Sequence, residues 1–252
     1  MNALHWRAAV RSETGSVRAN NEDNFYFNGR FLSPEEADAG LTVEQLFTGS
    51  GLFAVFDGLG GYDFGERASF LAASLLRECL SDADPDDDEA LDRYFAKTNR
   101  HICREAARQN TVIGSTAVLA FIKGRNLRVC NVGDSRAYLL REETLTRLSL
   151  DHTVPAPLHA KNGRGRQLTQ HLGIPEEEFL VEPHSVSRTL QPGDKLLLCS
   201  DGLTDMVSED AIRLACLADA PPLSIVQALV DLSLSASGRD NVTVLLLACH
   251  KK

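Results

Sequence analysis

The sequence predicts an α+β fold, with helices packed on the outside of antiparallel sheets. Three observations predict it. Apolar runs of strand length, among them Leu52 to Phe56, Lys195 to Cys199 and Val242 to Cys249, read as buried strands. From Ser115 to Leu148 short apolar runs follow one another with only turn signals between them, the pattern of an antiparallel meander. Two long helical patterns stand together between the groups of strands and two more stand near the end, so helices and strands are segregated rather than alternating. The 252 residues are 43% hydrophobic, enough to bury a sizeable core. No linker divides the chain, so a single domain over residues 1–252 is expected.

Taken in order, Trp6 to Val10 reads as a first strand and Phe25 to Phe27 as the start of an aromatic second one. The polar stretch between them holds Arg18, Glu22 and Asp23, either a solvated turn of mixed charge or part of a site. Residues 31–50 look like an insertion on the rim. Ser33-Pro34-Glu35-Glu36 is a helix opening, with Ser33 as cap and Pro34 at the first helical position, and Leu41 to Phe47 is expected to add a short second turn. Glu66 to Leu80 carries Ala68, Leu71, Ala72, Leu75, Leu76 and Cys79 at helical spacing. After the acidic linker Ser81 to Asp88 a second helix runs from Glu89 to Gln109, with Leu91, Tyr94, Phe95, Ile102 and Ala106 toward the core. The meander strands are Ser115 to Ile122, Leu127 to Val132, Ala137 to Leu140 and Leu145 to Leu148. Leu150 to Ile174 is basic and irregular. Val186 to Thr189 and Lys195 to Cys199 are strands. Helices over Ser208 to Leu217 and Pro222 to Leu234 precede the last strand.

Composition narrows the function. Lysine and arginine number 26 against 35 acids, a net charge of -9, which disfavours nucleic acid as a partner and suits a site that gathers divalent cations. The six cysteines form no C-x-x-C pair and sit in apolar stretches, the pattern of reduced thiols in a cytoplasmic protein. The seven histidines form no H-E-x-x-H zinc pattern. No apolar run is long enough for a membrane span, and the first ten residues lack a signal-peptide profile.

The chemistry lies in the acids. In Leu-Phe-Ala-Val-Phe-Asp-Gly-Leu-Gly-Gly, residues 52–61, a carboxylate ends a buried strand and glycines let backbone or a small ligand approach it. Asp57-Gly58 is also an ordinary hairpin-turn signal. The arrangement recurs, however: Asp57, Asp134, Asp201 and Asp240 all lie beside or near glycines at expected strand ends, and Asp205 follows Asp201 by four positions. Converging buried carboxylates repel unless cations neutralise them. Such a set therefore implies hard divalent ions, and two ions sharing a carboxylate activate a water for attack on phosphate. Arg18 is the candidate phosphate-binding cation.

Arg18-x-x-x-Glu22-Asp23, Asp57-Gly58-x-Gly60-Gly61, Gly114-Ser115-Thr116-Ala117, Asn131-x-Gly133-Asp134-Ser135-Arg136, Asp151-His152-Thr153, Ser200-Asp201-Gly202-Leu203 and Gly238-x-Asp240-Asn241 stand in this order. Together they resemble the metal-dependent serine/threonine protein phosphatases of the 2C type, in their bacterial form, from about Leu4 to Ala248. The resemblance implies a four-layer α-β-β-α sandwich, two central antiparallel sheets flanked by helices, with two or three Mn²⁺ or Mg²⁺ ions at one end. It implies that Asp57 bridges two ions, that the Gly58 carbonyl binds the first, and that Asp201 and Asp240 bind the second. Glu22 and Asp23 match an acidic pair that holds metal-bound waters or orients the site. Asp134 and Asp205 match ligands of a third metal, and Arg18 matches the phosphate-binding arginine. Asn241 is expected to support Asp240, and Ser115 and Thr116 to pack under the site.

Position 59 is leucine where many eukaryotic members carry a histidine proposed to protonate the leaving group. The segment 154–172 is a short flap rich in His159, Lys161, Arg164, Arg166 and His171, either a solvated loop or a surface attracting acidic partners. The implied activity is hydrolysis of phosphoserine and phosphothreonine in proteins by direct water attack, opposing a cognate Ser/Thr kinase, by a cytoplasmic monomer engaged in signal transduction. Two alternatives stand beside it: a non-catalytic pseudophosphatase that binds a phosphoprotein or regulator, and a relative dedicated to one anti-sigma-factor antagonist.

Overall fold

The computed structural model describes residues 4–60, 64–80, 87–155, 166–175 and 177–250. Gly61, most of the acidic linker, and His159, Lys161 and Arg164 of the basic flap lie outside the described residues, as does the side chain of Arg166.

The strands are β1 (His5–Glu13), β2 (Asp23–Phe27), β3 (Leu41–Thr48), β4 (Ser50–Gly60), β5 (Ile113–Ser115), β6 (Ala117–Lys123), β7 (Asn126–Val132), β8 (Arg136–Arg141), β9 (Thr144–Arg147), β10 (Thr153–Pro155), β11 (Arg166–Leu168), β12 (His184–Thr189), β13 (Lys195–Cys199) and β14 (Val242–His250). The helices are α1 (Gly65–Leu80), α2 (Asp88–Gln109), α3 (Asp201–Thr204), α4 (Glu209–Leu217) and α5 (Pro222–Ser235). One sheet runs β3-β1-β14-β13-β8-β9 and the other β12-β7-β6-β4-β2, with β5 paired to the far end of β4; β10 and β11 form a separate ribbon.

Alternation along the central strands sorts side chains into layers. Leu245 and Leu247 of β14, Leu196 and Leu198 of β13, Phe53 and Val55 of β4, and Val118, Ala120 and Ile122 of β6 meet in the core between the sheets. Their alternate neighbours face outward: Leu52, Ala54 and Phe56 pack under α1 and α2, and Val244, Leu246, Leu197 and Cys199 pack under α4 and α5. Burial on both faces is why these strands read as continuous apolar runs. The result is the expected four-layer α-β-β-α sandwich. Among the described residues no helix is long and apolar enough to cross a membrane.

The structure corrects the reading of residues 31–50. Ser33 does open a turn, since its N–H donates to the Glu36 carboxylate at 3.1 Å, half of a capping box. The turn becomes only a 3₁₀ segment over Ala37–Ala39, stopped by Gly40 at φ 62°. Leu41–Thr48, expected as a helical turn, is the edge strand β3, paired antiparallel with β1 from Leu41↔Ser12 to Thr48↔His5. Leu41, Val43 and Phe47 turn inward against the core between the sheets, and Phe47 stacks on Trp6 with ring centroids 6.1 Å apart. The single strand expected over Ser115 to Ile122 is also two, β5 and β6, parted at Thr116.

Candidate active site

Asp57 was expected at the end of its strand. It lies instead inside β4, where that strand changes partners. Up to Val55, β4 pairs with β6; from Gly58 to Gly60 it pairs with β5. Between the two ladders the Asp57 backbone is held by Thr116: the Asp57 N–H donates to Thr116 Oγ1 at 3.0 Å, and the Thr116 N–H donates to the Asp57 carbonyl at 2.8 Å. On the other side Asp57 stands opposite Asp23 of β2. Gly58 must be glycine, since a Cβ there would run into the carbonyl oxygens of Gly65 and Glu22.

The other acids arrive from separate elements. Asp23 is buried on β2, and its Oδ2 accepts from Ser200 Oγ at 2.7 Å. Asp201 is the first residue of α3, directly after Ser200 at its cap. Asp205 closes the same helical turn, its N–H donating to the Asp201 carbonyl at 2.8 Å. Asp240 lies just before β14, and Asp134 in the turn between β7 and β8. Glu22 Oε1 accepts from the N–H of Gly65, which opens α1, at 3.2 Å. Arg18 Nη2 lies 2.8 Å from Asp240 Oδ1 and 2.9 Å from Oδ2.

Burial and mutual repulsion raise these carboxyls together. Desolvation lifts Asp57 well above the usual range, and Asp201, Asp23, Asp240 and Asp134 add to it. Asp23 is pushed up to about 8, first by burial and then by Asp240 and Asp201, against the opposing hydrogen bonds of Ser200 and Thr243. Asp134 is pushed up to about 7 by burial, Asp201, Asp151 and Asp205. Burial also raises Glu22, offset by the Gly65 N–H and Arg18. This mutual repulsion groups Asp23, Asp57, Asp134, Asp201 and Asp240 in one acid cluster. A cavity of about 500 Å³ opens beside it, lined by Arg18, Glu22, Asp57, Gly58, Leu59, Gly60 and Asp240.

The donor set fits hard divalent cations: carboxylate oxygens and the Gly58 carbonyl, with neither sulfur nor imidazole in the cavity lining. Asp23 Oδ1 is buried with no hydrogen-bond partner, a cost that a positive neighbour offsets. Among the described residues no three His, Cys, Asp or Glu side chains already close into a coordination shell.

Several motif residues build the site rather than face the cavity. Asn241, expected to support Asp240, instead stitches the loop carrying Arg18: its Oδ1 accepts from the Glu22 N–H at 2.9 Å, and its Nδ2 donates to the carbonyls of Thr14 at 2.8 Å and Asn20 at 2.9 Å. Its backbone N–H also donates to the Asp240 carboxylate at 3.0 Å. Arg136 and Asp151 form a buried two-point pair at 3.0 and 2.7 Å. Asn131 bonds both backbone groups of Leu150, and His152 Nδ1 accepts from Gly133 N–H at 3.1 Å. These bonds fix the turn holding Asp134. Thr116 Oγ1 and Ser135 Oγ, 2.6 Å apart, tie that turn to Asp57. Sequence reasoning missed the part played by Ser200, whose hydroxyl also accepts from Thr243 N–H at 3.0 Å; its place before an Asp-Gly helix start was the available signal.

The family model for "Protein phosphatase 2C" matches residues 14–158, more than half of the chain. The chain belongs to the protein phosphatase 2C family. The serine/threonine protein phosphatase PstP of Mycobacterium tuberculosis is 33% identical over 95% of this chain and 44% of its own length, so this chain spans less than half of that relative. Among solved structures, PppA, described as a key regulatory component of T6SS in Pseudomonas aeruginosa, superposes with a TM-score of 0.80 at 30% identity, covering 98% of this chain and 100% of that one. The catalytic domain of PstP in complex with two manganese ions gives a TM-score of 0.77 at 29% identity, over 98% of this chain and 100% of that one.

Proposed function

We propose that this chain is a divalent-metal-dependent phosphoprotein phosphatase that hydrolyses phosphoserine and phosphothreonine. The observation that carries the reading is the convergence of Asp57, Asp201 and Asp240, remote in sequence, into one coupled acid cluster beside Arg18. When bound, Mn²⁺ or Mg²⁺ ions supply charge neutralisation at phosphate and an activated water nucleophile. Asp57, the Gly58 carbonyl, Asp201 and Asp240 would hold the ions, with Glu22 and Asp23 in support; Asp134 and Asp205 would hold a third. Arg18 binds a phosphate oxygen. Its Nη2 contacts Asp240, and a guanidinium carries five N–H donors, so the pair and a phosphate can be bound together. The rigid β4–Thr116 backbone holds the Asp57 carboxylate still.

The two-manganese PstP domain supports the cofactor assignment. Six cysteines without a disulfide support a reducing, cytoplasmic setting. A single catalytic domain acting as a monomer, in signalling opposite a Ser/Thr kinase, completes the reading. The test is phosphate release from a phosphothreonine peptide with and without Mn²⁺, comparing the native protein with Asp57→Asn. Metal-dependent release that the substitution abolishes is the expected result. Undiminished turnover by the variant would refute the shared-ligand role of Asp57. No turnover by metal-loaded native protein would favour the pseudophosphatase.

A further inference from the structure

A second cavity, of about 510 Å³, lies between the C-terminal turn of α2 and residues 171–175 with Glu178. Its apolar walls are Ala106, Ala107, Val112, Ile113, Ile174 and Pro175, with Glu178 and His171 as polar edges. This is the volume and lining of a ligand site, mostly apolar with a few polar groups. It is also preformed. Asn99 accepts from the Gly173 N–H at 2.7 Å and donates to the Ile174 carbonyl at 2.8 Å. Leu172 and Ser115 exchange backbone hydrogen bonds at 2.8 and 3.0 Å. Asn110 ends α2 in the left-handed conformation, φ 51°, its N–H on the last helical carbonyls.

The cavity adjoins the catalytic one. Ile113, in its wall, is the ladder partner of Gly60, which lines the acid cavity. Paired strands lie about 5 Å apart, so the two linings meet across a single strand spacing. Gly60 is exposed at the seam, and Val112, next to the buried Ile113, is 79% exposed. Beyond the far wall, Phe179 and Leu180 are also exposed, at 51% and 67%, and Phe179 is tied by its N–H to the Pro175 carbonyl. Exposed apolar side chains beside an apolar cavity mark an interaction surface.

We infer that this cavity is a docking subsite for a bulky apolar side chain of the phosphoprotein substrate, lying a few residues from the phosphorylated one. The inference rests on the phosphatase reading. An extended segment advances about 3.3–3.6 Å per residue, so a chain with its phosphate at Arg18 crosses the Gly60–Ile113 seam within a few residues. The anchored side chain fills an existing hollow with fixed walls, so little ordering cost opposes it.

The experiment compares kcat/KM for phosphothreonine peptides carrying Leu or Ala at each of the four positions on either side of the phosphoresidue. It uses the native protein, Ala107→Phe, which fills the cavity from an exposed helix position, and Val112→Asp, which makes its lip charged. The expected result is a preference for Leu at one position of about ten-fold, the discrimination of an apolar pocket. Both variants reduce it below two-fold and leave p-nitrophenyl phosphate turnover within two-fold of native. The subsite is overturned if Leu confers no preference at any position, or if a preference survives both substitutions unchanged. Failure to turn over p-nitrophenyl phosphate with Mn²⁺ would overturn the phosphatase reading itself.

Discussion

The acid cluster makes a prediction about stability. In chelator the folded protein should lose stability as pH rises from 6.5 to 7.5. Asp23 ordinarily titrates near 3.8 and is pushed up to about 8 in the fold. Across this window the folded state therefore keeps a proton that the unfolded chain has released. A native state binding one more proton than the unfolded chain loses about 1.4 kcal/mol per pH unit. For a chain of this size that corresponds to roughly 3–6 °C in Tm over the window. Asp57, raised for the same reasons, adds in the same direction, and Asp134 contributes up to about pH 7. His152 is lowered by burial and acts oppositely, but its contribution fades as pH rises above its ordinary value of 6.5, so across this window it offsets only a minor part of the slope. Calorimetry in EDTA at three pH values measures the slope, and Asp23→Asn should flatten it by the share of one proton. Mn²⁺, competing with protons for the same oxygens, should stabilise more as pH rises. A flat or rising Tm across the window in chelator would refute the reasoning.

Other predictions concern single contacts. Thr116→Val removes the hydroxyl that accepts from the Asp57 N–H and meets Ser135; a buried unsatisfied donor costs about 1–3 kcal/mol, to be read by urea denaturation together with weaker Mn²⁺ binding. Arg136→Met removes the buried two-point partner of Asp151 while leaving its ion pair with Arg147 at 3.2 Å, and should destabilise by about 1–3 kcal/mol, seen in the same assay. Asp205→Ala should lower kcat at saturating Mn²⁺ with KM little changed; a normal kcat would remove Asp205 from turnover. Phosphothreonine and phosphoserine peptides should be cleaved and phosphotyrosine peptides poorly, and a reversed order would contradict the substrate class.

Much of the architecture was legible because the central strands are buried on both faces: Val242 to Cys249 and Lys195 to Cys199 have no amphipathic alternative. The helices were legible from spacing and caps, as at Ser208, whose hydroxyl accepts from the Ala211 N–H. Residues 41–48 were misread because the Ser-Pro-Glu-Glu opening suggested helix, while the alternation of Leu41, Val43 and Phe47 gains meaning only against Trp6 and Phe53, distant in sequence. α3 is a single turn, too short for periodicity to register. Asp57, Asp134, Asp201 and Asp240 were legible as acids beside or near glycines, whereas Asp23 entered the set only through the family resemblance. That Asp57 stands between two ladders was not, since it depends on β5 and β6 parting at Thr116, some sixty positions away.

That placement ties chemistry to the core. Along β4 alternate side chains enter opposite layers, so Phe53 and Val55 share their face with Asp57 while Ala54 and Phe56 fill the layer under α1. A slip of β4 by one residue would exchange the two sets, burying the carboxylate among helix-facing apolar groups and turning Phe56 toward the cations' side. The greasy residues upstream therefore act as a ruler, and any substitution that loosens their register misplaces the acid without touching it.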